Sequence, residues 1–209
     1  MKLLPATVGR QLPRSLTTSC AHPTHDSAGF TLIELLMVTA LLVIMMSMAV
    51  PVSMRMTESM RLSAALRDVE RELQTARLKA VTTNRPMRVF LNCPAQGQFR
   101  MVEFMNIAAV DVDAQRCSEV AYPYPSPRDT DPNTPSSDGP VRRLGSNLVL
   151  SPALPNLVLQ FGPNGQTTQV VGGMAQGIAA AGVTVTIENT RISKTAGVNI
   201  NGLGRIQVQ

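Results

Sequence analysis

FTLIELLMVTALLVIMMSMAVPV, residues 30–52, is the longest apolar run in the chain, and every other segment is placed by its relation to it. At about 23 residues and about 1.5 Å of rise per residue, the run as a helix is long enough to cross the roughly 30 Å hydrocarbon layer of a bilayer. A buried core helix would instead show a polar stripe. Here a single charge, Glu34, interrupts the run. A carboxylate at such a position costs on the order of 2 to 3 kcal/mol even on the lenient insertion scales. Glu34 therefore either reaches the headgroups from the helix end or meets a cation supplied by another molecule, in which case the cost disappears only on assembly.

Immediately before and within the run stands Gly29-Phe30-Thr31-Leu32-Ile33-Glu34. This stretch, followed by unbroken apolar sequence to Pro51, resembles the type IV prepilin signature. The resemblance implies that a membrane aspartyl protease, the prepilin peptidase, cuts between Gly29 and Phe30 and methylates the new amine of Phe30. It also implies that Glu34, at the fifth mature position, pairs with the amine of a neighbouring subunit. In low dielectric such a pair is strong and selects register. The expected partners are the peptidase, other major and minor pilins or pseudopilins, and an inner-membrane assembly platform.

Two other readings fit the run itself. Ser47-Met48-Ala49 is similar to a small-residue secretory cleavage site, although the apolar stretch exceeds the usual 7 to 15 residues and contains Glu34. An uncleaved membrane anchor is the other. Orientation carries a conflict: Arg14 is the nearest basic residue before the run, whereas Arg55, Arg61 and Arg67 follow it closely, which by positive-inside counting favours the opposite topology. The resemblance places the leader in the cytoplasm, and the expected location is the bacterial inner membrane with the remaining domain in the periplasm.

Beyond Pro51 the pattern becomes amphipathic. Leu62, Leu66, Val69, Leu73, Ala76 and Ala80 fall on one helical face, with Arg61, Arg67, Asp68, Arg71, Glu72 and Lys79 on the others. Arg85-Pro86 marks the expected end, because a residue before proline avoids helical backbone. Strands are expected over 87–92 and 98–104, joined by Pro94-Ala95-Gln96-Gly97, and over 148–150, 157–161, 168–171, 183–187, 198–200 and 205–208. A leading helix followed by antiparallel strands is an α+β arrangement. Leu157–Phe161 with Gly162-Pro163-Asn164-Gly165, and the terminal Gly202-Leu203-Gly204-Arg205-Ile206, resemble the late strands of the GspH/FimT group of minor pseudopilins and pilins. The expected organisation is a leader over 1–29, a transmembrane helix over 30–52, an amphipathic helix over 53–85 and a β-rich domain over 86–209.

Residues 122–140, YPYPSPRDTDPNTPSSDGP, are rich in Pro, Ser and Asp and predict a disordered, solvated loop, or a partner contact at a filament tip. Gly172 to Gly182 reads as a flexible connection. Cys93 and Cys117 form an even pair once Cys20 leaves with the leader, and in an exported domain that suggests a disulfide, with two free thiols as the alternative.

Chemistry on a substrate finds little material. Both histidines, His22 and His25, precede Phe30, so a chain starting there has no imidazole to act as base or zinc ligand. Lys79 and Lys194 stand in no nucleophile motif, Asp111 and Asp113 read as solvated loop charges, and no phosphate loop or cofactor motif is present. The chain is read as non-enzymatic, without a cofactor or metal. The formal charge of +5 hints at nucleic acid, yet loss of the leader lowers it by about two. DNA binding is the alternative function: FimT-type pilins use a basic Gly-Arg-x-Arg motif, matched here by Gly204-Arg205-Ile206-Gln207 with glutamine replacing the second arginine. Arg205, Arg191 and Lys194, with Arg142 and Arg143, are the candidate phosphate contacts if they converge.

Overall fold

Helix α1, Leu32–Thr83, starts where Thr31 supplies a cap and ends where Asn84 turns left-handed. The Thr31 hydroxyl accepts the Glu34 N–H at 3.3 Å, and the Thr31 carbonyl accepts the Leu35 N–H at 3.2 Å. At the other end Asn84 has φ of 54°, a conformation that asparagine tolerates at a helix terminus. The helix therefore stops just before the Arg85-Pro86 pair rather than at it. The computed structural model describes residues 29–125, 134–151 and 157–209. Of the expected leader only Gly29 lies among them, and residues 126–133 of the expected 122–140 loop lie outside them.

The chain divides into a unit ending at Met45 and a second from Met46 to Gln209. In the first, every described residue is exposed, including Phe30, Leu32, Ile33 and Leu41. In the second, α1 buries Leu62, Ala65, Leu66, Val69, Leu73, Ala76 and Ala80, the stripe read from the sequence with Ala65 added. Glu58 and Glu72 are buried on the same helix, so the charged faces are not uniformly wet as the pattern suggested.

The strands are β1 Met87–Leu91, β2 Gln98–Glu103, β3 Arg142–Arg143, β4 Leu148–Ser151, β5 Leu157–Phe161, β6 Thr167–Val171, β7 Met174–Gly177, β8 Val183–Asn189, β9 Lys194–Ile200 and β10 Ile206–Val208, with a short helix α2 at Ala108–Asp111. They form a six-stranded sheet in the order β3-β2-β1-β5-β6-β7 and a four-stranded sheet in the order β10-β9-β8-β4. Every pairing is antiparallel, with Val89 opposite both Met101 and Leu159 at the centre of the first sheet. The architecture is α+β, a long leading helix on antiparallel sheets, as the sequence predicts. Met87, Val89, Leu91, Met101, Leu159, Phe161, Ile187, Val198 and Ile200 join the helix stripe in one core.

Two segments differ from expectation. The 172–182 stretch is not simply a connection: Gly172 and Gly173, with φ of 59° and 84°, turn the chain so that β7 pairs with β6. All four β7 residues are exposed, so no alternation of buried and exposed side chains announced the strand. The described carboxy-terminal arm of the 122–140 loop is not solvated either. Asp138 is buried, and its carboxylate accepts from Arg116 Nη2 and from the Glu103 N–H, each at 2.8 Å. Glu103 in turn accepts the Ser136 and Ser137 N–H groups at 2.9 and 3.1 Å and pairs with Arg85. Polar composition did not leave these residues in water, because two buried guanidinium groups required a carboxylate.

Those guanidinium groups belong to Arg100 and Arg116. Arg100 is 0% exposed and donates to the carbonyls of Gly139, Ser118 and Tyr122 at 2.8, 2.9 and 2.7 Å. The segment around α2 thus lies over the face of β1 and β2 opposite the helix. Asp111, read as a solvated charge, is buried there and accepts the Met105 and Ile107 N–H groups at 3.0 and 2.8 Å.

Candidate functional site

The residues singled out for processing lie outside the helix. Gly29, Phe30 and Thr31 are non-helical and exposed, and no described residue lies within 4 Å of where a Gly29 Cβ would stand. The bond between Gly29 and Phe30 is therefore in irregular, open backbone, the form in which a protease can bind a substrate strand. Thr31 and Glu34 have the spacing of a capping box, a pattern the sequence reading passed over. Only half of it is made. The Thr31 hydroxyl takes the Glu34 N–H, while the Glu34 carboxylate has no hydrogen bond or ion pair among the described residues. The cap accounts for the helix start and leaves that carboxylate available.

Along α1 from Leu32 to Val52 no residue is buried, and its apolar part is long enough to cross a membrane. Burial begins at Glu58, which is 3% exposed. One of its oxygens meets Arg61 Nη1 at 3.1 Å and Arg191 Nη1 at 3.4 Å, and the other accepts from Asn189 Nδ2 at 3.1 Å. The Asn189 bond, outweighing desolvation and assisted by the two arginines, holds this carboxyl below its ordinary range. Beside it Lys194 Nζ donates to Ser59 Oγ at 3.1 Å. Glu58 thus fixes the turn between β8 and β9 to the helix.

The candidate DNA contacts do not converge. Arg191 and Lys194 sit at Glu58 and Ser59, whereas Arg205 lines a separate groove with Arg77, Leu78 and Val81. Eighteen residues of helix separate the two places, about 27 Å at 1.5 Å per residue. Arg142 pairs with Glu72 at 3.5 Å. With the Gln207 amide oxygen turned toward it, Arg205 donates to that oxygen through Nη2 at 2.9 Å and Nε at 3.3 Å. The glutamine that replaces a second arginine in the motif therefore engages the first one.

The two stretches that carried the GspH/FimT likeness come together. Arg77 donates from Nε to the Gly165 carbonyl at 3.3 Å and from Nη2 to the Leu203 carbonyl at 3.4 Å. Gly204, with φ of 78°, passes so close to this junction that a Cβ would stand 2.2 Å from the Gly165 oxygen. Arg77 was not singled out from the sequence, since a helix arginine outside the apolar stripe reads as solvent-facing. Glu58 on the same helix was missed for the same reason, and Arg100, Arg116 and Asp138 because a charge on a strand or in a loop likewise reads as solvent-facing.

Cys93 and Cys117 have their Cα atoms 5.9 Å apart and are joined as a disulfide in the structure. That spacing is ordinary for a bridge. It fastens the segment containing α2 to the end of β1.

Residues 24–50 match the family model of the prokaryotic N-terminal methylation motif. The chain carries that motif. The motif stands at the start of the long leading helix, ahead of the antiparallel sheets, and it implies prepilin peptidase processing and assembly with pilin-family subunits. Two crystal structures of the type IV minor pilin FimU of Pseudomonas aeruginosa (strain PAO1) are similar to this chain. One has 15% identity and a TM-score of 0.42 and covers 74% of this chain and 92% of that one. The other has 15% identity and a TM-score of 0.39, with coverage of 71% and 92%. No curated protein sequence matches.

Proposed function

We infer that this chain is a minor pilin or pseudopilin of the GspH/FimT kind. In this reading it is a non-enzymatic, single-pass subunit of the bacterial inner membrane with its domain in the periplasm. It is cut between Gly29 and Phe30, methylated at Phe30 and drawn through the assembly platform into a filament, at its initiation or tip. The same subunit chemistry serves a secretion pseudopilus or a type IV pilus.

One observation carries this reading: Glu34, a carboxylate without a partner among the described residues, stands in the first turn of a helix whose next eighteen residues are exposed and almost wholly apolar. Lipid alone would accept the apolar surface, but a carboxylate in lipid remains costly. A bundle of like helices accepts both, provided that each Glu34 meets the amine freed at a neighbour's Phe30. The dispersion of Arg191, Lys194 and Arg205 weighs against DNA capture, because phosphate contacts add to affinity only when one backbone can reach them.

Intact mass and amino-terminal sequencing of membrane-extracted protein, from cells with and without the prepilin peptidase, test it. A start at methylated Phe30 that depends on the peptidase is expected. A start near Val50, or an intact Met1 in both strains, would overturn the reading.

A further inference from the structure

The turn joining β8 to β9, residues 190–193, is held against α1 just past the end of the apolar run. Pro51, Met54, Arg55, Glu58 and Ser59 from the helix, with Arg191 to Lys194, enclose a groove of about 720 Å³. Arg55 lies three residues beyond Val52, about 4.5 Å along the axis, and Ser59 seven residues beyond, about 10 Å. The headgroup zone on one side of a bilayer is roughly 5 to 8 Å deep, the difference between the full thickness and the hydrocarbon core. If the apolar run is in the membrane, this groove is at its surface.

Its charge is one-sided. Arg55, Arg191 and Lys194 line it with one carboxylate, Glu58, which is buried and already satisfied by Asn189, Arg61 and Arg191. Arg55 has no hydrogen bond or ion pair among the described residues, and Lys194 holds only the Ser59 hydroxyl. Ile192, half-buried, stands between the cations in the turn, and Ser193 there takes a φ of 50°, the left-handed conformation of a tight turn. Glu58 acts as the fastener: it orients Arg191 and the turn without neutralising the outer cations.

The geometry points to a headgroup-binding site: the 190–193 turn and Arg55 dock on anionic phospholipid at the membrane surface, with Arg55 and Lys194 contacting phosphate and Ile192 entering the interface. This rests on the reading of residues 30–52 as the anchor and adds to it a second, electrostatic contact that would set how the domain stands before it is extracted into a filament. Cations near an anionic membrane surface gain about 1 kcal/mol each, a factor of about five in the docked-to-undocked ratio.

The test uses the full chain, with a fluorescent amino acid in place of Ile192, reconstituted into vesicles of phosphatidylglycerol or of phosphatidylcholine that carry a headgroup-attached quencher. Flotation first establishes insertion. In phosphatidylglycerol the label should be quenched, and added salt should reverse this. In phosphatidylcholine, or with Arg55→Gln and Lys194→Gln together, the docked-to-undocked ratio should fall by about 25-fold. A chain that floats but whose label stays in water in both vesicles overturns the site and leaves the anchor reading intact; the groove would then belong to a neighbouring subunit. Equal quenching in both vesicles, insensitive to salt and to the double substitution, overturns the electrostatic contact. A chain that does not float removes both readings.

Discussion

Asp138→Ala removes the carboxylate that two buried guanidinium groups share. Its oxygens meet Arg116 through both terminal nitrogens, Nη2 at 2.8 Å, and Arg100 Nη2 lies 4.0 Å away. Arg116 is 1% exposed, and its Nε already has no partner in the described structure. After the substitution only the Glu103 carbonyl, now 2.8 Å from Nη2, would remain as its acceptor. Stranding a buried charge in this way costs about 3 to 5 kcal/mol. The Glu103 N–H loses its acceptor in the same step, so the upper half of that range is expected, about 4 kcal/mol. For a domain of this size each kcal/mol lowers the melting temperature by about 2 to 4 °C, giving a drop of roughly 8 to 16 °C. Calorimetry of the full chain in detergent reads this directly. Replacing both partners, Asp138→Leu with Arg116→Met, should recover the part of the loss due to Arg116, because that uncompensated charge goes with the pair, while Arg100 keeps its three carbonyl acceptors and the Glu103 N–H stays without its own. A single substitution costing under about 1 kcal/mol, or a double one costing as much as the single, would refute the argument that the pair exists to neutralise buried charge.

Glu34→Ala should leave cleavage before Phe30 intact while lowering recovery of the subunit in sheared filaments; wild-type incorporation would sink the pairing. Non-reducing peptide mapping should recover Cys93 linked to Cys117, and Cys93→Ser should destabilise the domain by about 3 kcal/mol in the chain-entropy account of a loop this long. Free thiols in membrane-extracted protein would contradict the bridge. Burial would raise the Glu103 carboxyl, but Arg85 and the Ser136 and Ser137 N–H groups outweigh it and hold it below its usual range. Its contribution to stability is therefore full above the unfolded value of about 4.3 and is lost as pH falls below that toward the lower folded value. The melting-temperature gap between wild type and Glu103→Gln should be wide at pH 7 and narrow as pH falls below about 4.3, and a constant gap would count against it.

What sequence could disclose followed from periodicity and from local chemistry. The stripe from Leu62 to Ala80 and the strands at 87–91 and 157–161 repeat at helical or strand spacing, and the Gly29 to Glu34 stretch is contiguous, so each is visible in one window. The polar structure is of the other kind. Glu58 and Asn189 are 131 residues apart in sequence, and Arg116 and Asp138 are on a segment whose composition reads as wet. A charge has no periodic signature that tells whether its partner is water or a distant side chain. Arg100 alternates with Phe99 and Met101, so it was legible as facing away from the helix; that this second face is also covered depended on Asp138 and the Cys93–Cys117 link. Strand β7 buries nothing, which removes the one property by which a short strand is found.

Thr31 caps α1 one residue behind the terminus that cleavage would create. Aligned peptide dipoles leave about half a positive charge at the start of any helix, and a new amine at Phe30 would add a full one beside it. Two like charges would then crowd the same end of a helix immersed in lipid, with Glu34 of the same chain the one acid in that first turn. Removing the leader would therefore do more than trim the subunit: it would load the helix tip with repulsion that a lone copy can offset only partly. A neighbour's carboxylate brought against that tip would discharge it, so the energy that draws a subunit into the growing filament would be set in place by the peptidase before any other subunit is met.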